Sequence, residues 1–166
     1  RLHREPQMPY VTVRRILRET ADALAHAHAK GVVHRDIKPD NILLEDGTGR
    51  VLVTDFGIAR AAEGDARLTV TGVAVGTPTY MSPEQARGDA DVDGRADIYS
   101  LGVVGYQMLA GEPPFSAPNT PALLLKHVVE VPPSLSARRH DAPRALVSAV
   151  ERALAKDRHS RWVDAA

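Results

Sequence analysis

The chain has no cysteine, which removes disulfide bridges and thiolate metal sites from consideration and fits a reducing, cytoplasmic compartment. It has no excess of either charge: 21 Lys and Arg balance 21 Asp and Glu, so nothing draws nucleic acid or an anionic membrane wholesale. A small basic cluster, Arg138, Arg139 and His140, reads as a solvated loop. No apolar run approaches the ~20 residues that a helix needs to cross a bilayer, and no signal peptide opens the chain. Internal repeats and low-complexity tracts are lacking too. The first residue is Arg1 rather than Met, so the chain reads as a piece of a longer polypeptide, whose membrane anchor, if it has one, falls outside these residues.

What is present is ordinary for a globular domain. With 166 residues, 43% apolar and 25% charged, the chain can bury one real core but not two large ones. From Val11 to about Lys30 the residues Val13, Ile16, Leu17, Ala21, Leu24 and Ala27 recur at helical spacing, and Gly31 follows at a natural stop. Ile42-Leu43-Leu44 and Val51-Leu52-Val53 flank a turn, Glu45 to Gly49, and predict a hairpin. Residues 60 to 80 are rich in Thr, Gly and Ala and read as a long loop, of a length that is usually functional or mobile. A short turn of helix is expected over Glu84–Arg87. A nearly all-apolar stretch from Ala96 to Ala110 predicts a buried helix ending at Gly111. Amphipathic helices are expected over Pro121–Val129 and Ala142–Ala155, and a further one starts near the last residues. The fold class is mainly α, a helical bundle with a small β-ribbon, forming one partial domain over 1–166.

The densest polar cluster is His34-Arg35-Asp36-Ile37-Lys38-Pro39-Asp40-Asn41, and Asp55-Phe56-Gly57 follows 14 residues after Asn41. A carboxylate on a loop can accept or orient a hydroxyl proton. An Asn oxygen and a second carboxylate are hard ligands suited to Mg²⁺. Lys38, two residues beyond Asp36, points to the same side of an extended segment and brings a positive charge. A base, two metal ligands and a cation are the parts that phosphoryl transfer requires. Each residue alone reads as an ordinary turn or cap; the ordered set carries the signal. His26 and His28, two apart on the first helix, face different sides and make no metal pair.

These motifs resemble those of protein kinases, whose catalytic loop reads His-Arg-Asp-Leu with Asn five past the Asp, followed by Asp-Phe-Gly and Ala-Pro-Glu. Asp36 to Asn41 has that spacing, Ile37 replaces Leu, and Ser82-Pro83-Glu84 stands for the third motif. The Lys38-Pro39-Asp40-Asn41 ending and the run Gly76-Thr77-Pro78-Thr79-Tyr80 are similar to the Ser/Thr branch, closest to bacterial kinases of the eukaryotic type. The resemblance covers the whole chain and implies the C-terminal lobe of such an enzyme.

The resemblance implies Asp36 as catalytic base, Asn41 and Asp55 as Mg²⁺ ligands, and Lys38 as a contact to the ATP γ-phosphate, with Mn²⁺ able to substitute. It implies that His34 and Phe56 belong to an apolar stack and that Gly57 completes the metal-binding triplet. Arg35 resembles the arginine that receives an activation-loop phosphate, for which Thr69 and Thr71 are the candidates; plain β-prone loop residues are the alternative. Thr77 resembles a threonine contacting both base and loop lysine. Asp97 resembles an aspartate bonded to the catalytic-loop backbone, and a helix N-terminal charge is its other reading. Glu84 and Arg161 resemble a buried ion pair, although Arg158 stands where relatives often place Pro. The implied partners are protein substrates carrying Ser or Thr and a second kinase copy for autophosphorylation.

A working kinase also needs a Gly-rich loop over the phosphates and a lysine–glutamate pair. No Gly-x-Gly-x-x-Gly occurs ahead of the loop, and only 33 residues precede His34. This polypeptide alone is therefore expected to have little or no activity. The rival readings are a pseudokinase scaffold, a small-molecule phosphotransferase and a remnant without function. Intact Asp36, Asn41 and Asp55 speak against the scaffold, and the Gly-Thr-Pro and Ser-Pro-Glu runs against a small-molecule substrate.

Overall fold

The computed structural model describes residues 8–56 and 78–165. Within them the chain is mostly helical, with one two-stranded ribbon. Helix α1 spans Tyr10–His28 and buries Val13, Ile16, Thr20 and Leu24, a stripe at steps of three and four. The one polar member, Thr20, spends its hydroxyl on the Ile16 carbonyl at 2.8 Å. The helix stops two residues short of Lys30, and Gly31 turns the chain away at φ 74°.

Strands β1, Ile42–Leu44, and β2, Val51–Val53, pair antiparallel with Ile42 opposite Val53, as the turn between them predicts. Arg15 of α1 donates to the Gly49 carbonyl at 2.6 Å, and Glu19 accepts from the Val51 amide at 2.9 Å. These bonds dock the ribbon on α1 and so set where the loop leading into it sits.

After a 3₁₀ turn at Pro78–Tyr80 comes α2, Pro83–Arg87. Ser82 caps α2 through a capping box with Gln85, and Gly88 ends it in the left-handed conformation at φ 73°. Helix α3, Arg95–Ala110, is buried on nearly every side, as a nearly all-apolar helix must be. It packs against α1, the Pro78–Tyr80 turn and the later helices. Gly105 lets it approach α1 and its C-terminal neighbour: a Cβ there would come within 3.1 Å of Leu17 and 3.2 Å of Val150.

Helix α4, Thr120–Val129, is capped by Asn119, whose Oδ1 accepts from the Ala122 amide at 2.9 Å. Residues 135–138 form a short helix, α5, that the sequence pattern did not mark, because its single buried apolar residue, Leu135, makes no stripe. Helix α6 covers Arg144–Ala153, inside the expected range, and buries Leu146, Val147, Val150 and Ala153. A 3₁₀ turn follows at Arg158–Ser160, and residues 161–165 are not helical, unlike the helix start expected there.

The basic cluster departs from expectation as well. Arg138 and His140 are exposed, but Arg139 is buried. Its guanidinium donates to the carbonyls of Met8 at 2.9 Å and Leu109 at 3.2 Å and pairs with Asp141 at 2.6 Å. A buried guanidinium needs such partners for its fixed donors, and here they tie the start of α1 to the end of α3.

Candidate functional site

The loop from His34 to Asn41 is held from below by α3. Asp97, fully buried in the first turn of that helix, accepts from the amides of His34 (Oδ2, 2.8 Å) and Arg35 (Oδ1, 2.7 Å). Its Oδ2 also meets Nε2 of His28 at 2.8 Å. A carboxylate oxygen only accepts, so His28 must donate there. The imidazole lies flat against Gly94, where a Cβ would come within 2.7 Å of the ring. Sequence reasoning weighed His28 only as a metal ligand and missed this role, for which no local signal exists.

His34 is also fully buried and links the loop to the strand. Its Nε2 lies 2.8 Å from the Thr54 carbonyl, and its Nδ1 is 3.3 Å from the Asp36 amide. A carbonyl can only accept and an amide can only donate, so the ring proton sits on Nε2. The ring stacks at a tilt on Phe56, centroids 4.7 Å apart. The Thr54 amide in turn donates to the Asn41 carbonyl at 3.0 Å. Asn41 and Asp55 are thereby brought together, one residue apart across a backbone bond.

Arg35 has φ 66° and Asp55 has φ 58°, a region that costs a non-glycine residue free energy unless its surroundings impose it. At Arg35 the surroundings do so from both ends of the residue. Its amide is taken by Asp97, and its carbonyl accepts from Nε2 of Gln85 at 2.8 Å. Gln85 uses its other atom, Oε1, to accept from the Ser82 amide at 3.0 Å. One side chain thus serves the cap of α2 and the backbone beside Asp36. Gln85 is a second residue that motif reading passed over.

Asp36 and Lys38 meet as their spacing predicts, with Nζ 2.8 Å from Oδ2. Asn41 Nδ2 donates to the Asp36 carbonyl at 2.8 Å and reaches the same Oδ2 at 3.3 Å. Among the described residues Oδ1 of Asp36 takes no bond, so its lone pairs are available to a hydroxyl. With Nδ2 so used, Asn41 has Oδ1 left for a cation, and Asp55 adds an exposed carboxylate. Two hard oxygens of this kind fit a Mg²⁺ that draws its other ligands from water and nucleotide phosphates. Among the described residues no cluster of three His, Cys, Asp or Glu forms a metal cage by itself.

Glu84 and Arg161 form a buried two-pronged pair, Nη1–Oε1 2.6 Å and Nη2–Oε2 2.9 Å. Arg161 sends its remaining donors to the carbonyls of Ala155 (2.8 Å), Arg95 (3.0 Å) and Lys156 (3.1 Å). The pair joins α2 to the segment after α6. Arg158, in the place where Pro was expected, donates to the Asp91 carbonyl at 2.9 Å and thus adds a second tie on that side. Gly57, Thr69, Thr71 and Thr77 lie outside the described residues.

Comparison with known proteins agrees with this geometry. Residues 1–163 match the family described as protein kinase domain. The chain is 46% identical over 154 residues to the serine/threonine-protein kinase Pkn1 of Myxococcus xanthus, covering 91% of this chain and 22% of that protein. It is 42% identical over 165 residues to PknB of Mycobacterium leprae, covering 99% and 26%. The crystal structure of the Mycobacterium tuberculosis PknI kinase domain superposes with a TM-score of 0.69 at 33% identity, over 96% of this chain and 52% of that one. The chain thus spans about a quarter of the length of these curated relatives and about half of the solved kinase domain. With a kinase-like helical lobe, a clamped His34–Asn41 loop and matches along almost its whole length, this chain belongs to the protein kinase family, among the bacterial serine/threonine kinases of the eukaryotic type.

Proposed function

We propose that this chain is the catalytic C-terminal lobe of an enzyme that transfers the γ-phosphoryl group of ATP to Ser or Thr hydroxyls of protein substrates. The observation that carries this reading is the state of Asp36: one carboxylate oxygen is held by Lys38 and Asn41, and among the described residues the other takes no bond. Bound Mg·ATP supplies the phosphoryl group and offsets its charge. Asp36 orients the incoming hydroxyl and takes its proton through Oδ1 as the new O–P bond forms and the bond from the γ-phosphorus to the β–γ bridging oxygen breaks, with ADP leaving. Lys38 keeps Oδ2 turned away and places a positive charge beside the phosphoryl group. Oδ1 of Asn41 and the Asp55 carboxylate would hold the cation, Mg²⁺ or Mn²⁺, and Asp97 keeps the loop from drifting.

Arg35 receives a phosphate on Thr69 or Thr71, and a second copy of the protein delivers it. Thr77 steadies Asp36 and Lys38. Protein substrates and this second copy are the partners. The setting is cytoplasmic, and among the described residues no helix is long and apolar enough to cross a membrane.

These residues carry no Gly-rich phosphate loop ahead of His34, so a polypeptide limited to them transfers phosphate poorly or not at all. The test is Mg·ATP-dependent phosphorylation of a generic basic protein and of the enzyme itself. It compares this chain with a version extended upstream by a nucleotide-binding lobe, with Asp36→Asn as the control. Activity only in the extended chain, silenced by the control, is the expected result. A folded but silent extended chain would leave a scaffold that binds partners through its helices. Transfer by the short chain alone would overturn the claim that it is inactive by itself.

A further inference from the structure

A second polar cluster, unused by the chemistry above, is buried where α3, α4 and the segment after α6 meet. Tyr99 and His127 are both fully inaccessible. Tyr99 Oη lies 3.0 Å from His127 Nδ1. Lys156 Nζ donates to Tyr99 Oη at 3.2 Å and to the His127 carbonyl at 2.8 Å, and it sits 4.3 Å from the centre of the Phe115 ring. Phe115 packs edge-on against His127, centroids 5.1 Å apart.

The protons in this cluster can be assigned. An ammonium group has donors and no lone pair, so Tyr99 Oη accepts from Lys156. The hydroxyl then has one hydrogen to place, and His127 Nδ1 is the acceptor beside it. The opposite arrangement, with Nδ1–H donating to Tyr99, would leave a buried hydroxyl hydrogen without a partner, which is costly. The proton of His127 is therefore on Nε2. Burial, with the Lys156 charge adding to it, pushes the imidazole down to about 4, so at neutral pH the ring carries that one proton alone.

The Nε2–H has no hydrogen-bond partner, alone among the buried side-chain polar atoms of the described residues. The group acting on the ring in the opposite sense is the backbone of Thr79, which makes no normal hydrogen bond to Nε2. Helix α4 packs against the Pro78–Tyr80 turn and against α2. Tyr80, next along that turn, is fixed by α3 at both ends: its carbonyl accepts from Ser100 Oγ at 2.7 Å, and its hydroxyl donates to Gln107 at 2.7 Å. The charge of Asp40, in the same loop as Asp36, reaches the Tyr80 phenol. Gln85, in the helix just after this turn, holds the Arg35 carbonyl next to Asp36, so the turn is tied to the loop that would receive a hydroxyl.

We infer that Lys156, Tyr99 and His127 form a directed hydrogen-bond relay that aims the His127 Nε2–H at the Thr79 carbonyl, making His127 a positioning residue for the turn on which a protein substrate rests. This rests on the kinase reading for its consequence but not for its geometry. Lys156 sets the direction, Tyr99 passes it on, and the otherwise unpaired N–H draws the Thr79 carbonyl towards α4.

The test has two arms on the full-length protein that contains this chain. In the first, nitrogen NMR of the histidines at pH 7 reports the tautomer, and amide hydrogen exchange follows residues 78–81. Nε2–H in the wild type, with Tyr99→Phe speeding exchange in the turn but not in α6, is the expected result. An Nδ1–H tautomer, or exchange that rises equally across α6, would overturn the relay. In the second, phosphorylation kinetics of Tyr99→Phe and Lys156→Met should show the peptide KM raised about three- to tenfold, with kcat within about twofold. A fall in kcat at unchanged KM would overturn the positioning role. If the wild type itself transfers no phosphate, the kinase reading fails alone, and the tautomer and exchange still decide the relay.

Discussion

Nε2 of His28, at the end of α1, lies 2.8 Å from Oδ2 of Asp97, in the first turn of α3. The same carboxylate receives the amides of His34 and Arg35. Three donors thus converge on one buried charge, and the loop carrying Asp36 hangs from it. Replacing His28 by Ala leaves the carboxylate one donor short. A hydrogen bond to a charged group is worth about 1.5–3 kcal/mol, so urea unfolding should show a loss of that order. His28→Gln, which keeps a donor, should recover part of it. Equal stability of His28→Ala and wild type would mean that the bond adds nothing net.

Glu84 and Arg161 make a stronger claim on stability. Both are buried, and every guanidinium donor of Arg161 has an acceptor. Removing one partner strands the other charge in the interior, which costs about 3–5 kcal/mol. Glu84→Ala should lower the denaturation midpoint by a corresponding amount. The double variant Glu84→Ala/Arg161→Leu should lose less than the two single losses added together. Simple additivity would show that the two side chains act independently.

Gln85 separates stability from activity. Gln85→Glu keeps an oxygen for the Ser82 amide but loses the donor to the Arg35 carbonyl. Since Arg35 holds a positive φ next to Asp36, its release should lower kcat of the upstream-extended enzyme about three- to tenfold. Urea unfolding should stay close to wild type. An unchanged kcat would mean that Asp97 alone holds the loop backbone.

His127 gives the chain an acid sensitivity. Its folded pKa is pushed by burial from 6.5 to about 4, so between those values the unfolded chain binds the proton that the folded one refuses. The stability tied to the neutral ring is complete above about 6.5 and is lost as pH falls through about 4. The loss totals on the order of 3 kcal/mol. Neighbouring Lys156, pushed down by burial to about 8, stays cationic over this range and does not mask it. Stability measured from pH 7 to pH 4 should fall more steeply in the wild type than in His127→Gln, and parallel curves would refute the assignment.

The sequence by itself determined the local elements and the reactive loop. Apolar spacing along Val13, Ile16 and Leu24, and the nearly all-apolar composition of α3, are properties of neighbouring residues, so the helices were legible. The ribbon was legible for the same reason, through its turn. Asp36, Lys38 and Asn41 come together because they sit within six residues of one another in a single loop. Only the tertiary structure decided which distant groups complete these parts. His28 became a donor to Asp97, Gln85 a hold on Arg35, Arg139 a buried tie, and His127 the end of a relay that begins at Lys156. Each of these side chains has a polar end whose partner lies far off in sequence. Residue type says that such a group needs a partner when buried, but only packing decides which side chains are buried and what faces them.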